Sequence, residues 1–276
     1  MAIPPFVLGD RDCLETTARR QAQTVHLAEG SVICRVLGKY LMFVDPHDLG
    51  LTPRLCLDGY WESWITRAIA RCVRPGSWCV DVGANHGYYT LIMADAAGKD
   101  GRVLAVEPNP SLAGLAALSV EVNGFTAQTR IVQKAVTDGA APRARLVVPR
   151  RRGACATICR EATADDEVVD VEAASVDELT ADWPQVDLVK VDAEGAEDAI
   201  WRGMRGTIAR NPGLSVFLEF VPSRYRDPGA FVREIVDAGF SLREIGHDSE
   251  VVAVAEDGLA DDDEDEGRML YLRRDS

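Results

Sequence analysis

The chain has 276 residues, a formal charge of −14 and 47% hydrophobic content. That length suits one large α/β domain with elaborations, and the apolar fraction furnishes a substantial core. The excess of acids repels phosphate backbones over most of the surface, so nucleic acid is excluded as a default partner despite the run Arg150-Arg151-Arg152. A small molecule or a glycan is easier to accommodate. The seven cysteines form no Cys-x-x-Cys pair, and Cys155 and Cys159, the nearest two, have no neighbouring His; reduced thiols in a cytoplasmic protein are expected. Met1–Asp12 lacks a basic start and a long apolar region, and no later segment approaches membrane-spanning length, so a soluble, unsecreted protein is expected.

From about Thr24 to Val44, apolar and polar residues alternate around Glu29-Gly30-Ser31 and Leu37-Gly38-Lys39. This predicts short antiparallel strands in a β-rich N-terminal extension over residues 1–57. Trp61, Trp64, Ile65, Ala68, Ile69 and Cys72 then recur at helical spacing, and Pro75-Gly76 ends that helix. Glu62 at its start reads either as a first-turn carboxylate favoured by the helix dipole or as a cofactor contact. Trp78–Val82 is an apolar, β-branched run that suits a buried parallel strand. It leads into Gly83-Ala84-Asn85-His86-Gly87, whose glycines permit positive φ and let backbone amides approach a ligand. The next helix, Tyr88–Ala97, presents unpaired N–H groups there.

A second buried strand, Val103–Val106, ends at Glu107-Pro108-Asn109-Pro110. In nucleotide-binding folds an acid at this strand end, about 20 residues beyond the glycine turn, accepts hydrogen bonds from ribose, and Glu107 lies 20 residues after Gly87. A helix over Leu112–Asn123 and a strand near Arg130–Val136 follow. Two strand-like runs, Ala144–Val148 and Val168–Ala173, flank Pro149–Glu167 and predict a hairpin insertion at about 144–176. Arg150, Arg151, Arg152 and Arg160 in that loop either recognise an anionic acceptor or, as the simpler reading, balance nearby acids in solvent. Val186–Val191 is another buried strand, running straight into Asp192-Ala193-Glu194-Gly195-Ala196-Glu197. A helix to about Arg210, a strand Leu214–Phe220 containing Glu219, a helix Asp227–Ala238, an extended Phe240–Ile245 and a last strand Arg268–Arg273 complete the pattern. The acidic block Asp261–Glu266 must be solvated and is assigned no chemistry. The alternation implies a doubly wound α/β sheet within residues 58–276, with ligands beyond the carboxyl ends of its strands.

Asp81–Gly87, Glu107 and Asp192–Glu197 therefore converge on one edge. The turn departs from Gly-x-Gly-x-x-Gly, since Asn85 replaces the middle glycine, and no Gly-Lys-Ser/Thr is present, so a pyrophosphate ligand is disfavoured. A nucleoside with a charged, non-phosphate tail fits better, the acids suiting an ammonium or sulfonium and Glu107 a ribose. That describes S-adenosylmethionine. The blocks Asp81-Val-Gly-Ala-Asn-His-Gly-Tyr, Val106-Glu-Pro-Asn-Pro110 and Val186-Asp-Leu-Val-Lys-Val-Asp-Ala-Glu-Gly-Ala-Glu197 resemble the successive signatures of the FkbM family of S-adenosylmethionine-dependent methyltransferases. Gly59-Tyr-Trp-Glu62 and the Pro75-Gly76 lead-in are similar to it as well.

The resemblance spans roughly Thr24 to Phe240 and implies a Rossmann-like, seven-stranded class I methyltransferase sheet with its final strand inserted antiparallel. It also implies methylation of an oxygen on a sugar or natural product. Carried over by the resemblance, Asp81, Gly83, Asn85 and Gly87 contact the methionine moiety, Glu107 the ribose, and Asp192 the methionine amine or the reaction centre. Glu62 and Asn109 join this cofactor-binding set. The chain departs from the family in its Arg-rich hairpin loop and its acidic C-terminal loop.

Because a sulfonium already activates the methyl, catalysis consists of in-line positioning, exclusion of water and removal of the acceptor's proton. The base candidates are Asp192, Glu194 and His86, with His247 a distant fourth in a loop-like context. Glu194 equally suits the first turn of a helix, and His86 equally a spacer in the glycine turn. Asp192 and Glu219 end adjacent strands and are the pair able to hold Mg2+, although no metal is expected; Glu219 otherwise pairs with Arg224. The expected function is methyl transfer to a hydroxyl of a sugar or secondary metabolite. The alternatives are a non-catalytic S-adenosylmethionine-binding scaffold, against which the dense strand-end acids argue, and transfer to nitrogen of a small molecule. Nicotinamide-dependent reduction is disfavoured by the missing glycine. A homo-oligomer is compatible with the sequence.

Overall fold

The computed structural model describes residues 3–27, 31–260 and 267–274. Asp10 caps helix α1 (Arg11–Gln21) by accepting the Cys13 N–H at 2.7 Å. Strands β1 (Gln23–His26), β2 (Val32–Val36) and β3 (Tyr40–Val44) form an antiparallel sheet, with Leu37 and Gly38 at positive φ between the last two. Helix α2 (Thr52–Asp58) follows. The N-terminal region, expected to be β-rich, thus also contains two helices. Glu29 and Gly30 of the predicted turn lie outside the described residues.

Helix α3 (Ser63–Cys72) begins two residues later than the apolar spacing predicts, because Glu62 takes a left-handed φ of 33°. Then come β4 (Trp78–Val82), α4 (Tyr88–Ala97), β5 (Arg102–Val106), α5 (Pro110–Val122), β6 (Thr129–Val132) and β7 (Ala135–Val136). The hairpin consists of β8 (Arg143–Pro149) and β9 (Asp166–Ala174), antiparallel throughout. After α6 (Val176–Leu179) the chain continues as β10 (Leu188–Val191), α7 (Glu197–Arg202), α8 (Arg205–Arg210), β11 (Ser215–Phe220) and α9 (Pro228–Asp237). It ends with β12 (Phe240–Ser241), β13 (Arg243–Ile245), β14 (Val251–Ala253), α10 (Glu256–Ala260) and β15 (Arg268–Arg274).

The main sheet runs β14-β13-β15-β11-β10-β4-β5-β6, with β12 also paired to β15. Strands β6, β5, β4, β10 and β11 are parallel, and β15 lies antiparallel between β11 and β13. This is the expected seven-stranded class I arrangement. It counts nine strands because the sixth is split at Leu242, whose carbonyl accepts the Val254 N–H at 3.1 Å, and because β14 adds an edge.

Two further elements differ from the sequence reading. The single strand expected near Arg130–Val136 is two: the Lys134 N–H bonds back to the Val132 carbonyl at 3.2 Å, and the bent chain carries β7 onto β9 in a separate small sheet. The helix expected to reach Arg210 is interrupted at Gly203, where a Cβ would lie 2.2 Å from the Thr137 carbonyl oxygen. The acidic block 261–266 lies outside the described residues.

The central strands β4 and β10 are buried along nearly their whole length, as parallel strands covered on both faces must be. One face packs against α3, α4 and the N-terminal region, the other against α7, α8 and α9. Side chains fix the N-terminal sheet in place. Phe43 N–H donates to Ser119 Oγ of α5 at 2.9 Å, Tyr40 OH donates to Asp95 Oδ2 of α4 at 2.8 Å, and Lys39 forms an ion pair with the same carboxylate. The cysteines form no disulfide among the described residues, where no helix is long and apolar enough to cross a membrane.

Candidate active site

Three neighbouring strands stop at one level: Val82 of β4 pairs with Val106 of β5 and with Val191 of β10. Gly83, Glu107 and Asp192, each the next residue, therefore meet at the carboxyl edge. Gly83 has φ of 71°, and a Cβ on it would lie 1.7 Å from the Asp192 carbonyl oxygen, so only glycine fits. The Asn85 N–H donates to Glu107 Oε2 at 2.8 Å and the Asn109 N–H to Oε1 at 2.9 Å. Glu107 is buried, and that burial pushes its carboxyl up to about 7 against the pull of the two N–H groups.

Strand register sets Lys190 of β10 opposite Asp81 of β4. Its Nζ lies 3.6 Å from Asp81 Oδ1 and 3.2 Å from Asp192 Oδ2, and both Lys190 and Asp81 are buried. Burial alone would lower the lysine's pKa, but Asp192 and Asp81 outweigh it and hold the ammonium above its ordinary range. Thr90 Oγ1 donates to Asp81 Oδ2 at 2.6 Å. Beside this group, Tyr89 OH donates to Glu62 Oε2 at 2.8 Å; burial, then the nearby Asp192, push Glu62 up to about 7.

One guanidinium clamps two carboxylates: Arg224 Nη2 lies 2.8 Å from Glu194 Oε2 and Nη1 2.8 Å from Glu219 Oε2. Burial, then Asp192, raise Glu194 to about 7 and Glu219 well above the carboxylate range. Glu197 shapes the loop beneath. Its carboxylate accepts the Ala193 N–H at 2.8 Å, the Gly195 N–H at 3.1 Å and Tyr225 OH at 3.0 Å. Thr157 Oγ1, from the hairpin loop, donates to the Glu194 carbonyl at 2.7 Å.

A cavity of about 260 Å³ joins these groups. Of the residues singled out in the sequence, Glu62, Gly83, Asn85 and Glu107 line it, as do His86, Asp192, Glu194 and Glu219. Asp81, Gly87 and Asn109 lie outside that lining. Asp81 holds Lys190 from below, Gly87 opens α4 with φ of 89°, and Asn109 caps α5 by accepting the Ser111 N–H at 3.1 Å. His86 is fully buried; its Nε2 accepts the Asp45 N–H at 3.1 Å, and burial lowers its pKa to about 4. His247 is elsewhere, stacked on Trp64 at 4.5 Å. Arg150, Arg151 and Arg152 do not line the cavity, and Arg160 grips Asp166 at 2.7 and 2.8 Å; the hairpin segment that covers the cavity is Ala154–Ile158. Among the described residues no three His, Cys, Asp or Glu side chains are grouped to hold a metal, and Asp192 and Glu219 each face a cation.

Sequence reasoning missed Lys190, Tyr89 and the Ala154–Ile158 cover. Only the first left a signal, as a lysine between valines in an apolar strand.

A parallel sheet with an inserted antiparallel last strand, and a glycine turn facing acids at the next strand ends, define a class I S-adenosylmethionine-dependent methyltransferase fold. The methyltransferase FkbM domain matches residues 81–242, and the chain belongs to that family. It is also similar to a protein-L-isoaspartate O-methyltransferase of Methanopyrus kandleri, 38% identical over 66 residues. That match covers 24% of this chain and 28% of the archaeal enzyme, so the chain spans little more than a quarter of that relative's length. Among solved structures it is similar to a precorrin-6y C5,15-methyltransferase from Geobacter metallireducens, with a TM-score of 0.43 and 12% identity over 78% of this chain and 88% of that one. An rRNA methylase from Streptococcus thermophilus gives a TM-score of 0.44 and 10% identity, over 76% and 93% of the two chains.

Proposed function

We propose that the protein transfers a methyl group from S-adenosylmethionine to a hydroxyl oxygen of a sugar or secondary-metabolite acceptor. The observation that carries this reading is a single cavity connecting the cradle at Glu107 with the carboxylates at Asp192 and Glu194. The donor set fits the cofactor: Glu107 has lone pairs left for ribose hydroxyls, Pro108, Val136 and Leu146 offer an apolar slot for a base, and Asp192 and Glu62 suit an ammonium. Bound there, S-adenosylmethionine would supply an already activated methyl.

The chain's remaining task is to hold the acceptor and take its proton. We assign the base to Glu194. Burial pushes its carboxyl up to about 7, Arg224 fixes its orientation, and it lines the cavity. His86 is assigned to the wall, since a neutral imidazole has one acceptor nitrogen and Asp45 occupies it. Asp192 is held by Lys190 and suits the cofactor's amine.

Calorimetric titration with S-adenosylhomocysteine and with NADH tests the cofactor; binding of NADH alone would overturn the reading. Mass spectrometry of products from hydroxylated acceptors, amines and RNA fragments tests the acceptor, and methylation confined to nitrogen or RNA would displace it. Glu107→Ala removes the acceptor of two backbone N–H groups, the buried one of Asn109 and the half-buried one of Asn85, together with the ribose partner. An affinity loss for S-adenosylhomocysteine of at least about tenfold is expected, from hydrogen bonds to charged groups of about 1.5–3 kcal/mol each. Unchanged affinity would remove the ribose role.

Glu194 must be ionised to act, so turnover is expected to rise with pH through about 7, the value its burial sets. Glu194→Gln should abolish that rise and lower kcat by about 10²–10⁴-fold with little effect on cofactor affinity. Wild-type turnover in this variant would return Glu194 to loop positioning alone.

A further inference from the structure

We propose that a second cleft, at the opposite edge of the sheet, binds a small phosphorylated molecule. It has a volume of about 540 Å³, within the range of small-molecule sites. Its walls come from the amino-terminal ends of the parallel strands. Ser77 precedes β4, Asp187 precedes β10, Ser215 begins β11, and Arg273 lies near the end of the antiparallel β15. Register explains why chemistry collects there. Ser215 pairs with Arg273 and Phe217 with Tyr271, so these four side chains share one face of the sheet, beside the last turn of α3 and its Arg71.

The charge of the cleft runs against that of the molecule. The chain carries 44 acids and 30 Lys and Arg residues, yet Arg71, Arg74 and Arg273 form no ion pair among the described residues. Arg71 gives one nitrogen to the Leu8 and Gly9 carbonyls, at 3.1 and 3.2 Å, and keeps its remaining donors. Two acids also line the cleft, against the three arginines. Asp187 Oδ2 accepts the Trp78 N–H at 2.7 Å and a hydrogen bond from Gln185 Nε2 at 3.0 Å, and the Glu250 carboxylate attracts Arg67.

At the floor, the Ser215 and Tyr271 hydroxyls lie 3.3 Å apart and Ser215 is 5% exposed. Three guanidinium groups exceed what a single carboxylate needs and match a phosphate dianion, whose oxygens accept paired N–H donors. The two hydroxyls beneath suit the ester's polar remainder.

The test is calorimetric titration of the full chain with inorganic phosphate, pyrophosphate and ribose 5-phosphate, with ribose as the uncharged control, at about 0.15 M ionic strength. Saturable binding of ribose 5-phosphate at one site per chain is expected, and none of ribose. Arg74→Gln combined with Arg273→Gln should weaken it at least about tenfold. Tyr271→Phe should weaken it severalfold, with the urea midpoints of all variants unchanged. Excess S-adenosylhomocysteine should leave the titration as it was. The proposal is overturned if none of the three phosphates binds more tightly than ribose, if the double variant binds like the wild type, or if S-adenosylhomocysteine displaces the ligand.

Discussion

Replacing Lys190 by Met is expected to lower the free energy of unfolding by about 3–5 kcal/mol, the usual consequence of removing one partner from a buried ion pair. Lys190 is the cation facing both Asp81, which is fully buried, and Asp192. Without it the Asp81 carboxylate has, among the described residues, only Thr90 as a side-chain partner. Urea denaturation at neutral pH measures the loss. Burial already raises the Asp81 pKa above its ordinary 3.8 despite the lysine's pull, and Lys190→Met should raise it further. A carboxyl raised in the folded state contributes stability that is complete below its unfolded value and is lost as pH rises through the folded one. The gap between variant and wild type should therefore narrow toward pH 3.8 and widen toward neutrality. Adding Asp81→Asn should recover most of the loss at pH 7, because no uncompensated charge remains. If Lys190→Met alone stays within about 0.5 kcal/mol of wild type, as an ordinary surface change would, the triad is not what holds the strand ends together.

Gly83→Ala is the second large effect, and Gly76→Ala supplies its control. Both residues have positive φ, 71° and 85°, so each substitution carries the left-handed penalty of about 1–2 kcal/mol. They differ in their surroundings. Nothing lies within 4 Å of a Cβ at Gly76, whereas at Gly83 the Asp192 carbonyl is 1.7 Å away and is backbone that cannot swing aside. Overpacking adds about 1–3 kcal/mol, for a total near 2–5 kcal/mol at Gly83 against about 1–2 at Gly76. Separating the two loops should also displace Asp192 and weaken S-adenosylhomocysteine binding, which calorimetry reads directly. Equal losses at the two glycines, with cofactor affinity intact in both, would show that the close approach is unimportant.

Much of this architecture was legible where one residue type serves one purpose. Trp78–Val82 and Tyr88–Ala97 read as strand and helix and are found with those bounds, because each combines a mostly apolar run with a glycine boundary. Helix α1 was not legible: only Leu14 and Ala18 are buried in it, too few to establish a period. The bend after Val132 was also hidden, since Lys134 closes it with a backbone hydrogen bond that apolar spacing does not record. In the site, the acids at strand ends were visible as a set, but their division of labour was not. Asp81 is buried inside β4 while Asp192 lies just past the end of β10, and the register of the two strands, a long-range pairing, gives Lys190 its partners. Arg224 was visible as a partner for Glu219, yet its second contact, to Glu194, depends on a loop conformation with φ of 54°.

The walls of the cavity have two origins. Its base is the sheet edge, but its cover is borrowed: Gly50 and Leu51 come from the N-terminal region, and Ala154–Ile158 from a hairpin that interrupts the sheet's own succession. The hairpin reaches the base through few polar attachments, among them Thr157 to the Glu194 carbonyl and Asn85 to the Ala154 carbonyl. Residues 143–174 are therefore a roof added to the sheet and anchored to it through the β7–β9 pairing. Changes in its length or sequence would reshape both the chamber above Glu194 and the slot at Leu146, while the two hydrogen bonds to Glu107 and the Lys190 triad come from outside it.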